Sequence, residues 1–181
     1  IFHECGHAYT AKHYGVRVPA VGLAFLVLQP RLYTDVTDSW KLSNRLHRLH
    51  IDAAGIKMEL IIAGLATLGW SITTDGILNS IFFLVSSVTL VTTVLMNFNP
   101  AMRFDGYYLL SDFLGVDNLQ SRAFAYSRWQ LRKWFLAMDA PVPEEGIPSK
   151  TKAGMLLYSI YTWIYRIILY TGIVLFVYYE F

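Results

Sequence analysis

Between Ile77 and Met96 the chain runs for the length of a membrane span without one charged side chain. About 20 residues at about 1.5 Å each match the roughly 30 Å of a bilayer's hydrocarbon core. No other feature constrains the fold as strongly. In hydrocarbon every backbone N–H and C=O must be bonded inside its own segment, which leaves the helix as the form for a single run. Two further runs have the same character. Asp52 to about Thr73 contains the strongly apolar Leu60–Ile72, and Leu156 to about Tyr178 is interrupted by Arg166. Composition agrees, with 55% hydrophobic and 15% charged residues, where a soluble globular chain carries roughly a quarter charged. The expected class is an all-α polytopic membrane protein, a transmembrane helix bundle.

The remaining segments fill in this scheme. Ile1 to about Tyr14 reads as the C-terminal half of another transmembrane helix, ended by Gly15 and kept from continuing by Pro19. With no Met at its start, the 181-residue chain is expected to be an N-terminally truncated membrane-embedded core. Val18 to Tyr33 is apolar but broken by Pro19, Gly22 and Pro30, so a small strand-like or re-entrant insertion is expected near residues 18–34. Thr34–Ile51 is polar, with Lys41, Arg45, Arg48, His47 and His50, and Trp40 suits a membrane interface. A loop over about 101–153 carries a candidate amphipathic helix at Tyr107–Leu114, the basic-aromatic stretch Arg128–Trp134 and a linker marked by Pro141, Pro143 and Pro148. A last transmembrane helix follows at about 154–179. Lys and Arg gather in 34–51 and 101–153 and are missing from the Thr74-Asp75-Gly76 turn, which predicts that both basic segments are cytosolic.

Chemistry enters at His3-Glu4-Cys5-Gly6-His7, an H-E-x-x-H element. Two imidazoles four residues apart share one helix face with Cβ atoms about 5–6 Å apart, close enough to hold one metal ion. Glu4 between them can deprotonate a metal-bound water. At ordinary His and Glu usage the pattern arises by chance in roughly one chain of this size in a few hundred. A catalytic zinc site uses three protein ligands and one open position. The third must return to the same membrane depth, and Asp105 does so in Asn99-Pro100-Ala101-Met102-Arg103-Phe104-Asp105-Gly106, just past the cytosolic end of the Ile77–Met96 span.

H-E-x-x-H joined to N-P-x-x-x-x-D-G at this place resembles the site-2 protease family of intramembrane zinc metalloproteases. The fuller N-P-A-M-R-F-D-G-Y-Y-L-L-S-D, preceded by A-A-G-I-K-M-E-L, looks most like a bacterial branch of peptide zinc metalloproteases often associated with peptide export. The resemblance implies one zinc ion on His3, His7 and Asp105, Glu4 as general base, and hydrolysis of a membrane-embedded or membrane-associated polypeptide near the cytosolic face. It further implies a multi-pass protein of the bacterial inner membrane, with a peptide-export or secretion-adaptor partner. Asn99 could donate to the developing oxyanion, or brace the backbone freed beside Pro100, with equal weight. Gly106 is expected to permit a turn beside Asp105. Where many family members have A-G-P-x-x-N, this chain has Ala54-Gly55-Ile56-Lys57-Met58-Glu59, a departure bearing on substrate gating. A non-proteolytic zinc-binding component of an export system is the alternative, and a purely structural scaffold a weaker one.

Other polar residues have blander readings. Net charge +2 without a basic stripe argues against nucleic acid. Cys5, the single cysteine, excludes an intrachain disulfide and is expected to be a small packed residue. His13 points away from the metal face, and His47 and His50 suit a solvated face. Five histidines are too few for a membrane di-iron oxygenase. Asp112 is expected to brace its loop, Arg166 to face protein or the interface, and Glu59 to pair with Lys57 or Arg103.

Overall fold

The computed structural model describes residues 1–26, 29–136 and 141–180. Parts of the expected 18–34 insertion and of the 101–153 loop, at 27–28 and 137–140, lie outside the described residues. The chain divides into two compact units, Ile1–Leu110 and Ser111–Phe181. Most of it is helical, with a small two-stranded sheet.

In the first unit α1 (Phe2–His13) stops where expected. Gly15 takes φ +75°, and the Val16 amide returns to Ala11 O at 2.9 Å. Ala11, Val16 and Ile51 are buried together, with Tyr14, Val18, Val36 and Leu42 packed around them. This knot ties α1 to α2 (Arg45–Asp52), a helix capped by Asn44 through the Leu46 amide. Between them lie β1 (Val21–Leu26) and β2 (Gln29–Thr34), an antiparallel pair with Leu23 opposite Leu32. The strand-like insertion is therefore a hairpin, and Thr34 Oγ1 fastens it to α1 by donating to Glu4 O at 3.1 Å.

α3 (Ala54–Ile72) and α4 (Ile77–Thr92) form a helical hairpin around the Asp75 turn. Small and polar residues let them approach. A Cβ on Gly69 would meet the Phe82 ring at 2.9 Å, and Thr67 and Ser86 share a 2.6 Å hydrogen bond. α4 runs into a π-helical turn, Thr93–Asn97, closed by the Phe98 amide on Thr93 O at 2.8 Å. α5 (Asp105–Leu114) follows, beginning two residues before the expected amphipathic stretch.

In the second unit α6 (Leu119–Leu136) packs against α7 (Ser149–Glu180). Phe124 faces Tyr158 and Trp163, and the Arg166 guanidinium lies 5.3 Å over the Phe124 ring, so this arginine does face protein. The long helix α6 was not anticipated. Charged and aromatic residues are mixed over Arg128–Trp134, which hides its packed side of Ala123, Tyr126 and Ser127.

Three helices, Ala54–Ile72, Ile77–Asn97 and Ser149–Glu180, are long and apolar enough to cross a membrane. Their outer faces agree. Leu65 and Leu68 on α3, Leu84 on α4 and Ile168 on α7 are all more than 60% exposed. A soluble monomer rarely shows contiguous apolar surface on that scale.

Candidate metal centre

Helix periodicity places His3 and His7 on one side of α1, and a close crossing carries that side onto α3. Gly6 makes the crossing: a Cβ there would sit 2.7 Å from Ala54 O. Gly55, next in α3, lies under both rings. A Cβ on it would meet His3 Nε2 at 2.6 Å and come closer still to His7 Nε2. The missing side chain is thus the space into which both imidazoles point.

Asp105 follows the end of α4 remote from the Asp75 turn, at the first residue of α5. Gly106 brings it there by a different route from the turn expected. Its φ is not in the left-handed region. A Cβ at 106 would instead stand 2.6 Å from Phe98 C and 2.9 Å from Asn97 O, so the start of α5 rests on the backbone of the preceding turn.

His3 Nε2, His7 Nε2 and Asp105 Oδ2 converge. His3 Nε2 lies 3.0 Å from Asp105 Oδ2, His7 Nε2 lies 3.2 Å from it, and the two Nε2 atoms are 3.2 Å apart. A tetrahedral zinc ion with bonds of about 2.0–2.1 Å requires ligand atoms about 3.3 Å apart. The triad matches that edge closely, and its donor set of two imidazoles and one carboxylate is of a kind zinc uses in catalytic sites. Each ring is also oriented from behind. His7 Nδ1 donates to Ile51 O at 2.8 Å and His3 Nδ1 to Glu59 Oε1 at 3.0 Å. A carbonyl and a carboxylate can only accept, so each Nδ1 carries its proton and each Nε2 presents its lone pair to the centre.

Burial by itself would raise the Asp105 carboxyl. When Nε2 of each ring is protonated as well, hydrogen bonds from His3 and His7 and the charge of the rings outweigh it and hold the group down at about 2. Asp105 is therefore an anion throughout the physiological range.

The other expected residues fall as follows. Glu4 is half-buried on α1 between the two histidines. Asn99 is buried beyond the π turn. Its Oδ1 accepts from the Ala101 amide at 3.0 Å and its Nδ2 reaches Leu95 O at 3.4 Å. Cys5 is exposed on the side of α1 opposite the histidines, not packed. His47 stacks on Tyr14 at 4.2 Å and His50 Nδ1 bonds the Tyr14 hydroxyl at 2.6 Å, so these rings brace the α1–α2 corner. Asp112 is buried on α5. Glu59 does not pair with Lys57, which is exposed, or with Arg103, which stacks on Tyr107 at 5.9 Å. Its partners are His3, Thr93 and Asn97. A carboxylate inside an apolar span was the signal for this, but its partners depend on how α1 and α4 flank α3.

No family model matches the chain, and no solved structure matches it. It is 28% identical over 163 residues to the putative peptide zinc metalloprotease protein YydH of Bacillus subtilis (strain 168), a match that covers 88% of this chain and 59% of that relative. The chain thus spans less than two thirds of the relative's length. The likeness carries a coarse indication, of a chain similar to a protein named as a zinc metalloprotease.

Proposed function

We propose that this chain forms the core of a zinc-dependent intramembrane endopeptidase of the site-2 protease kind, with His3, His7 and Asp105 as metal ligands and Glu4 as general base. The observation that carries the reading is the convergence of three lone-pair atoms at 3.0–3.2 Å, two of them held in the metal-binding tautomer from behind. Zinc, when bound, supplies a Lewis acid that polarises a peptide carbonyl and acidifies water. Glu4 takes the proton of the attacking water on a carboxylate oxygen and returns it to the leaving amide nitrogen as the C–N bond breaks. Asp105 stays ionised and neutralises charge at the centre. Asn99 has the role of bracing the backbone beside Pro100, in keeping with its bonds to Leu95 and Ala101.

The site's depth supports action near one membrane face. Glu59 lies five residues into α3, about 7.5 Å from its start. Thr93 and Asn97 close α4 at the same end, opposite the Asp75 turn. That end also bears Arg45 and Arg48 on α2, and Trp40 with Arg48 5.6 Å over its ring, which fits the cytosolic boundary of a cell membrane. The substrate would be a polypeptide in or against the bilayer, locally unwound because helical hydrogen bonds otherwise shield its backbone. A peptide-export partner would present it.

The test is Glu4→Gln in the full chain, reconstituted in lipid and given a panel of single-span polypeptides. Zinc should remain bound while cleavage falls by about 10²-fold or more. Unchanged cleavage by Glu4→Gln would overturn the protease reading and favour a zinc-binding export component.

A further inference from the structure

We infer that Glu59 is a positioning residue of the metal centre, fixing the tautomer and orientation of His3, and that the π turn at Thr93–Asn97 serves to hold Glu59 in place. The inference rests on the zinc reading above and adds residues to it.

Glu59 sits on an apolar helix of membrane length, where a carboxylate is costly unless it is fully bonded. It is fully bonded. Oε1 accepts from His3 Nδ1 at 3.0 Å and from Asn97 Nδ2 at 2.9 Å. Oε2 accepts from Thr93 Oγ1 at 2.7 Å and from Asn97 Nδ2 at 2.8 Å. These four contacts come from three donor groups, and the one Thr93 hydroxyl proton is shared with Thr89 O, also at 2.7 Å. Three of the contacts come from α4's last turns and only one goes to the metal centre, so the carboxylate is clamped on one side and acts on the other. The clamp has its own backbone device. Thr93 is 1% exposed, and the i→i+5 bond from Phe98 to Thr93 makes the wide turn from which Thr93 and Asn97 both reach Glu59. Single π turns inside α-helices are frequent at functional sites.

The two histidines are thereby made unequal. His7 leans on a neutral backbone carbonyl, Ile51 O, whereas His3 leans on an anion. A carboxylate behind a ligating imidazole fixes its ring and raises its basicity, and loss of such a partner typically costs 10–100-fold in metal affinity. His3 is the ligand whose geometry depends on a residue that substitution can remove.

The experiment measures zinc affinity of the full chain by chelator competition, and the visible spectrum of its cobalt form. Glu59→Ala should weaken zinc by about 10–100-fold. Glu59→Gln retains an acceptor for His3 but turns an amide towards Asn97 or Thr93, so it should fall between and shift the cobalt bands. Asn97→Ala should weaken zinc in the parent chain and have no further effect in the Glu59→Ala background, because it acts through Glu59. Zinc affinity of Glu59→Ala within twofold of the parent, or an equal Asn97→Ala effect in both backgrounds, overturns the inference and leaves the zinc site standing. A parent chain whose zinc binding is indifferent to His7→Ala overturns both.

Discussion

Gly55→Ala separates a metal centre from an ordinary helix crossing, because it should move two measurements in opposite directions. Glycine inside a helix costs about 1 kcal/mol relative to alanine, so the substitution by itself favours α3. The new Cβ would stand 2.6 Å from His3 Nε2, where ordinary contact begins at 3.4 Å. The ring tip must then retreat by about 0.8 Å, some four times the roughly 0.2 Å tolerance of a zinc–ligand distance. A ring tip at the end of a side chain can yield cheaply when no metal is bound. It cannot yield and still complete a tetrahedron with His7 and Asp105. Zinc affinity should drop by at least about 100-fold, or about 2.7 kcal/mol, while the metal-free protein melts at the same temperature or higher. Gly64→Ala is the matched control on the same helix, since a Cβ there meets nothing within 4 Å. It should share the gain in stability and leave zinc untouched. The assay is chelator competition alongside thermal melting followed by circular dichroism. Gly55→Ala binding zinc within threefold of the parent would refute the reasoning, for the ring tips would then not be where the metal sits.

Gly106→Ala should act on the other half of the site. Its Cβ would press on Phe98 C and Asn97 O, backbone atoms that cannot swing aside, so stability should fall by about 1–3 kcal/mol in melting experiments, with Asp105 displaced and zinc weakened together. Protons compete with zinc at the two imidazoles, so affinity measured against pH should decline as pH falls and the rings take up protons. Asp105 should add nothing to that decline, because its carboxyl is held at about 2. With its folded value below the ordinary 3.8, Asp105 stabilises the fold fully above that pH, and the contribution fades only as pH falls towards 2. A zinc titration whose midpoint lies near 4 would point to a carboxylate as the limiting ligand and count against this assignment.

The parts of this molecule that could be read in advance are those governed by one helix or by charge distribution. His3 and His7 share a face because of the 3.6-residue repeat, and Asp105 was placed with them by the clustering of Lys and Arg on two segments. Neither deduction needed packing. Glu59 was visible as an anomaly in an apolar span but not as a partner of His3, since that contact depends on α1 crossing α3 at Gly6. Gly55 was legible as a residue and silent as a function, for its importance is a space that only the two rings define. Cys5 was assigned to packing because it turns away from the histidines, yet that side of α1 is exposed. The helix at Leu119–Leu136 was missed where aromatic side chains, at home both in a core and at an interface, blur the apolar period.

If His3, His7 and Asp105 hold a metal as proposed, it would be taken up with little rearrangement, and Glu59 would be the reason. His3 is bonded on both edges, Nδ1 to Glu59 at 3.0 Å and Nε2 towards Asp105 at 3.0 Å. When a proton occupies the centre, Nε2–H donates to Asp105 and the ring carries two protons between two anions. Zinc binding would require only the Nε2 proton to leave; the Nδ1 proton would stay on the ring, donated to Glu59, so the ring would keep its orientation and its plane. Asp105 changes from accepting a proton to donating a lone pair at nearly the same separation, since the 3.0–3.2 Å spacings already approach the roughly 3.3 Å edge of a zinc tetrahedron. Preorganisation of this kind keeps the reorganisation cost of binding low. It also explains why the costly residue in the apolar span is a carboxylate and not an amide. An amide would hold the ring in place, but it would not offset the charge of a second proton or of a divalent ion on the far side of the same imidazole.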